Sequence, residues 1–449
     1  MTSNAGDFVP HTDSDVEAML STIGSTSVDD LFDVIPAALR DRAVELAPAL
    51  SEAEVVSHVS ELAARNAPAA SGLCFLGGGL YDHYVPAAVR ALMSRGEFAT
   101  AYTPYQAEAS QGTLQALFEF QTMIAALFGL AVSNASLYDG GTALVEAVNV
   151  AAMRGDARRV LVCAGVNPRY RRVLETYADG LGVAVEVLPE SGFGTDAAAV
   201  AEAARDEPVL AVVVQQPNVY GFLEEAADLS AAGNEAGAAV IGIADPMTLG
   251  IIAPPGEWGA HMAIAEGQAL GNPIAFGGQC IGLFACDERF ARHMPGRLVG
   301  ETVDTQERRG YVLTLQAREQ HIKRERAGSN ICTNQTLFAL GVAFQLAWLG
   351  PEGLRKIGEI SAGLARTAAD AIERDTPFRV ASQRPFLREF ALTGPKPAAE
   401  VVDELRHRGV WAGPVAADHD DVFNVALTER RTQADIDVLV EALREIGKS

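Results

Sequence analysis

The 449-residue sequence predicts an α/β fold with a mostly parallel sheet, on three observations. Between about 158 and 290, short apolar runs (VLVCAG, AVEVLP, VLAVVVQQP, AVIGIAD and IGLFAC) alternate with helical or turn-rich segments. Near-continuous apolar strands separated by helices belong to parallel sheets covered on both faces. Helical periodicity dominates before this stretch, and a mixed strand and helix pattern follows it. The length exceeds one small core and suits two or three domains. In order, these are an N-terminal helical segment (1–68), a large α/β domain (69–330) and a small α+β domain (331–449).

In the first segment, SDVEAMLSTIG and SEAEVVSHVSELAARN have acidic starts and helical apolar spacing. FLGGGLYDHYVP breaks the pattern with three glycines and a proline, which suits a turn or a ligand cradle. AAVRALMSRGEF reads as a helix and ATAYTPYQAEASQG as a loop. TLQALFEFQTMIAALFG reads as a helix with Leu114, Leu117 and Phe118 on one face, continued by Met123, Ile124 and Leu127. TALVEAVNVAAMR is another helix, after ASLYDGG. Residues 300–345 are polar, arginine-rich and partly helical. A long amphipathic helix then leads to the strand-like FLREFAL and DVFNVAL. The last helix opens at Thr432, with Ile436, Leu439, Val440 and Leu443 on one face.

Composition removes several function classes. A formal net charge of −23 repels phosphate backbones, so no nucleic acid partner is expected. No apolar run reaches the roughly 20 residues of a membrane span. The polar, acidic start MTSNAGDFVPHTDSD is unlike an export signal, and a cytoplasmic location is expected. Cys74, Cys163, Cys280, Cys286 and Cys332 form no C-x-x-C pair and are expected as free thiols. No G-x-G-x-x-G follows a strand, and the terminal IGKS has no helix after it. NAS at 134 and NQT at 334 match the glycosylation pattern by chance. DHDD at 418–421 reads as a solvated acidic turn, and no metal site is expected.

Two local features point toward a cofactor, each with a plain alternative. Asp139-Gly140-Gly141-Thr142 opens a helix, so free N–H groups suit a phosphate or simply start the helix. Asp245 ends an apolar strand, where ligands of parallel sheets gather. A carboxylate there suits a protonated pyridine nitrogen or a structural contact. The only lysines are Lys323, Lys356, Lys396 and Lys448. Arginine cannot replace a lysine that must act as a nucleophile, because guanidinium stays protonated.

Several longer stretches resemble one family. FLGGGLYDHYVP, TAYTPYQAEASQGTLQALFEFQTMIAALFG, NASLYDGGTALVEA, GRLVGETVDTQERRGYVLTLQAREQHIKRERAGSNICTNQ and TERRT are similar to glycine decarboxylase, the pyridoxal-phosphate P-protein of the glycine cleavage system. The resemblance runs from about residue 10 to the C-terminus. It implies pyridoxal-phosphate fold-type I, the aspartate-aminotransferase class. It also implies a chemistry: glycine loses carbon dioxide on the cofactor, and its aminomethyl group passes to the lipoyl arm of the H-protein. The T- and L-proteins are then indirect partners. In some bacteria the enzyme is one chain of about twice this size; in others it is two subunits, of which this sequence is similar to the first.

The resemblance also sharpens a conflict. Enzymes of this fold hold pyridoxal phosphate through a lysine shortly after the strand-end aspartate. Here AEGQALGNPIAFGG (265–278) occupies that region and offers Gln268 and Asn272, neither of which forms an imine. Asn167 stands where the family usually has histidine. No residue of this chain is therefore expected in the Schiff-base role, and Gly140, Gly141, Thr142, Asp245 and Gln268 are expected as a vestigial cofactor pocket. The resemblance implies a lysine-bearing second subunit that carries the cofactor. Tyr102, Thr103, Tyr105 and Gln106, on a loop between helices, are candidates to reach the shared site or merely to pack at the interface. REQHIKRERAGSN is a candidate for the subunit contact or the lipoyl channel. Two alternatives stand beside this reading: an independent pyridoxal enzyme acting through Lys323, and a non-catalytic scaffold or regulator.

Overall fold

The computed structural model describes residues 10–40, 47–278 and 280–448. Parts of the expected N-terminal segment, residues 1–9 and 41–46, lie outside the described residues, as does most of the polar start. The chain divides into two compact units, Met1–Ala67 and Pro68–Ser449. The first contains α1 (Asp13–Ile23) and α2 (Glu52–Ala63). Both open on capping boxes, Thr12 with Asp15 and Ser51 with Glu54, which satisfy the first free amides.

The second unit runs β1 (Leu73–Leu76), α3 (Ala87–Met93), α4 (Gly96–Ala99), α5 (Gln111–Phe128), β2 (Val132–Ser133), α6 (Gly140–Ala152), β3 (Arg159–Val162), α7 (Pro168–Leu181), β4 (Ala184–Val187), α8 (Ala197–Ala203), β5 (Val209–Gln216), α9 (Ala226–Glu235), β6 (Ala239–Ala244), β7 (Met262–Glu266) and β8 (Gly282–Cys286). It continues with β9 (Val299–Val303), β10 (Arg309–Leu313), α10 (Gln320–Lys323), α11 (Thr336–Asp375), β11 (Arg379–Val380), β12 (Glu389–Thr393), α12 (Ala398–His407), β13 (Val410–Gly413), β14 (Val422–Ala426) and α13 (Gln433–Ile446).

Seven strands form the main sheet in the order β2-β8-β7-β6-β5-β3-β4. The pairs from β4 through β7 are parallel, while β8 runs antiparallel to β7 and β2. Alternating residues face opposite cores, as the two-residue period of a strand requires. Met262, Ile264, Phe284 and Cys286 join the core under α6, α7 and α9. Ala263, Ala265, Leu283 and Ala285 join the core under α5 and α11. A second sheet, β11-β12-β14, packs with α12, α13 and the later half of α11 around Phe378, Phe390 and Phe423. β1 pairs in parallel with β13 against the same core.

Some expected elements change in detail. The helix expected over AAVRALMSRGEF is two helices, parted at Ser94–Arg95. On α5 the fully buried line is Leu114, Leu117, Phe120, Ile124 and Phe128; Phe118, Met123 and Leu127 flank it. β7 was not among the expected strands, and β9 and β10 form a hairpin inside the stretch expected as polar and partly helical. α11 is long and apolar enough to pass for a membrane span by length and composition. It bends at Gly350-Pro351, and its Leu340, Val342, Ala365 and Ile372 are fully buried side chains of this unit.

Candidate functional site

The carboxyl ends of β5, β6 and β7 meet the glycine turn after β1 and the start of β12. Asp245 follows β6, Glu266 ends β7, and Arg388 immediately precedes β12. With Tyr81, Asn167 and Tyr170 these residues line one pocket.

At its centre, Arg388 Nη2 lies 2.6 Å from Asp245 Oδ2, with side chains 4% and 13% exposed. The guanidinium carbon sits 3.4 Å from the centroid of the Tyr81 ring. Its other terminal nitrogen meets His83 Nε2. His83 Nδ1 is 2.6 Å from Glu429 Oε2, so the partners make Nδ1 the donor and Nε2 the acceptor. Burial, with Arg388 alongside, holds the His83 pKa below its ordinary value against the pull of Glu429, which suits a neutral ring.

A second carboxylate closes the same region. Glu389 accepts from the Tyr81 hydroxyl at 2.6 Å, from the Gly78 amide at 2.8 Å and from Asn424 Nδ2 at 2.7 Å. A Cβ on Gly77 would lie 2.0 Å from Glu389 Oε1, so a side chain there would push the carboxylate off its donors. The glycine turn therefore cradles a carboxylate of this chain. Its YDHY segment is tied to TERRT, more than 340 residues on: Thr428 donates to the Asp82 carbonyl at 2.8 Å, and Glu429 accepts from the Tyr84 amide at 2.6 Å.

Glu266 is the residue that reading the sequence passed over. Its carboxylate accepts from the amides of Gly140 (3.1 Å), Gln268 (3.0 Å) and Ile281 (2.9 Å). Burial pushes its pKa up to about 7 despite these bonds. Asp139 caps the same helix, accepting from Thr142 N at 2.8 Å. Gly140 is tight against the Tyr170 hydroxyl, which an added Cβ would approach to 2.2 Å. Gln268 is buried and fully used: its oxygen accepts from Tyr81 N at 3.3 Å, and its amide donates to Asn272 O at 2.6 Å. Asn167 caps α7 by accepting from Arg169 N at 3.0 Å, and donates to Gly78 O at 3.1 Å. Only a strand-end position marks Glu266 in the sequence, and nothing there marks Arg388.

The structure thus gathers Gly140, Asp245 and Gln268 around one region, with Gly141 and Thr142 on the adjoining helix start. These residues do not fit a pyridoxal phosphate. The ring nitrogen would need Asp245, which Arg388 holds; the phosphate would need the opening amides of α6, which Glu266 and Asp139 hold. No lysine is among the described residues lining this pocket. Lys323 is exposed at the end of α10 and lines a different cavity, with Arg292, Arg318 and Arg326.

The 102–106 loop is not part of the Asp245 pocket lining. Tyr102 is 95% exposed, and Thr103 and Gln106 are exposed. Tyr105 is half-buried, its hydroxyl bonded to Asn334 and its ring under Arg297 at 5.3 Å. The acidic turn is partly paired, Asp418 with Arg171 at 2.7 Å and His419 with Glu190 at 3.1 Å.

Comparison with known proteins agrees with this architecture. Residues 6–443 match the glycine cleavage system P-protein family. A protein of Chlorobium limicola named probable glycine dehydrogenase (decarboxylating) subunit 1 is 47% identical over 97% of this chain and 99% of its own length. The crystal structure of a glycine decarboxylase (P-protein) in inhibitor-bound form superposes with a TM-score of 0.88, at 43% identity over 98% of this chain and 99% of that one. A Burkholderia pseudomallei sphingosine-1-phosphate lyase shares the fold alone, with a TM-score of 0.66 at 18% identity over 92% of this chain and 96% of that one. The fold is pyridoxal-phosphate fold-type I, and by sequence and structure together the chain belongs to the glycine cleavage system P-protein family.

Proposed function

We propose that this chain is the cofactor-free first subunit of a two-subunit glycine dehydrogenase (decarboxylating), acting in the cytoplasm. One observation carries the reading: in a chain of this family, the strand-end aspartate is paired with an arginine in a pocket lined by no lysine among the described residues. The Schiff-base amine and pyridoxal phosphate then belong to a lysine-bearing second subunit, and the lipoylated H-protein is the acceptor of the aminomethyl group. In this reading residues 69–330 and 331–449 serve as the large and small domains that frame the shared site. This chain's contribution is to shape that site and exclude water from it. Tyr102, Thr103 and Gln106 are the loop groups free to reach it, because Tyr105 spends its hydroxyl on Asn334.

The test is reconstitution. Alone with pyridoxal phosphate, the chain is expected to exchange no glycine carboxyl with bicarbonate. Co-expressed with the lysine-bearing subunit, it is expected to purify as a stable complex that does. Exchange by the isolated chain would point to Lys323 instead. A complex that forms but never exchanges would leave only a scaffold.

A further inference from the structure

We propose that Arg388 and Glu266 occupy the places of the ring nitrogen and the phosphate of pyridoxal phosphate, so that restoring a lysine to this chain does not by itself restore cofactor binding. The proposal rests on the reading of this chain as the cofactor-free subunit, and the test below separates the two.

The geometry at Arg388 is that of a protonated pyridine. A guanidinium is planar, cationic and rich in N–H donors. Here it stacks on Tyr81 at 3.4 Å and directs a nitrogen to Asp245 at 2.6 Å. A flat ring with an N–H⁺ would make the same two contacts: an aromatic face against one side and a buried carboxylate at its edge. Without Arg388, Asp245 would keep the Met247 amide at 3.1 Å but lose its ion-pair partner. With Arg388 present, the aspartate is neutralised and the ring space is filled. A cofactor would have to displace a paired, desolvated arginine before gaining anything from Asp245.

At the other end, the start of α6 suits an anion through its free amides and helix dipole. The acceptor for these amides is supplied internally. Glu266 takes the Gly140 amide, and its remaining capacity goes to the Gln268 and Ile281 amides. The Tyr170 hydroxyl packs against Gly140, where an added Cβ would lie 2.2 Å from it, so little free space remains at this helix start. The burial that raises the Glu266 pKa disfavours negative charge at this spot, and so also opposes a phosphate there. The pocket is therefore closed by an ion pair at one end and by a hydrogen-bonded carboxyl at the other, and the missing lysine is one of three obstacles.

The experiment uses the full chain in three forms: Gln268→Lys, Gln268→Lys with Arg388→Ala, and both with Glu266→Ala. Each is incubated with pyridoxal phosphate, reduced with borohydride and digested; cofactor on residue 268 is read by peptide mapping, so imines of the exposed Lys323 and other surface amines are not counted. Gln268→Lys alone is expected to carry none at that position. Removing Arg388 as well is expected to give labelling, and removing Glu266 to lower the cofactor concentration needed by about tenfold, the scale of one charge-assisted contact. Labelling of Gln268→Lys equal to that of the triple variant would overturn the proposal and leave the subunit reading intact. A stable internal-aldimine absorbance from the unreduced, dialysed wild type would overturn both. A triple variant that folds yet labels no more than Gln268→Lys would overturn the proposal alone.

Gln268 is itself tied into the structure, so a second measurement guards against variants that do not fold. Asp245→Asn and Arg388→Met are melted singly and together. The double variant is expected to lose less than the two single losses added, because each single leaves one partner buried alone. Strict additivity would show that Arg388 is not the internal partner of Asp245 and would overturn the proposal.

Discussion

At Glu266, burial and hydrogen bonding pull in opposite directions and burial wins, raising the pKa from 4.5 to about 7. The sign of the pH effect follows. Between about 4.5 and 7 the folded chain holds a proton that the unfolded chain releases, so stability falls as pH rises through that window and levels off above it. Glu146, raised to about 7 by the same burial, adds to the slope. Replacing Glu266 with Gln is expected to flatten part of the decline in urea-unfolding free energy between pH 5 and 7; an unchanged slope would contradict the assignment. Asp245 was legible in the sequence because a polar residue at the end of an apolar strand stands out. Arg388 was not, because its partner is 143 positions away and only folding brings β6 and β12 together.

Element boundaries are set by local chemistry where caps exist and by distant pairing where they do not. Thr432 caps α13 by accepting from Asp435 N at 3.3 Å, while Asp435 accepts from Thr432 N at 2.8 Å. The helix then buries Ile436, Leu439 and Leu443. Thr432→Ala is expected to cost about 1 kcal/mol of stability, read as a lower urea midpoint with an unchanged slope. This cap was readable from the sequence. β7, with Ala263 and Ala265 among its five residues, carries little strand propensity of its own. It is a strand because β6 and β8 pair with it on both sides. The ATAYTPYQAEASQG loop was legible in the sequence, but which tyrosine is spare was not. In the reconstituted complex, Tyr102→Ala is expected to lower glycine–bicarbonate exchange by about tenfold, roughly 1.4 kcal/mol of lost transition-state stabilisation, without weakening subunit association. Wild-type exchange would remove the loop from the site.

For the whole molecule, the distribution of cores makes its own prediction. Each of the three large buried clusters lies within Pro68–Ser449, whereas α1 and α2 bury none of their side chains. Residues 68–449 expressed alone are therefore expected to fold and to unfold cooperatively with the thermal profile of the full chain. A molten profile with exposed apolar surface, detected by dye binding, would show that the first unit is needed for folding.

What the sequence determined by itself was periodic and local: an α/β fold with a mostly parallel sheet, the helix caps, the strand-end aspartate and the absence of a lysine behind it. Hydrophobic spacing and capping act within a few residues, so they are written in order along the chain. What only the tertiary structure decided was the state of the pocket. Arg388 meets Asp245, Glu266 meets the start of α6, and the YDHY turn meets TERRT, each through contacts between segments far apart in sequence. Charges spaced along a chain do not specify their partners; the packing that buries them does, because a desolvated charge must find the one counter-charge the fold places within reach.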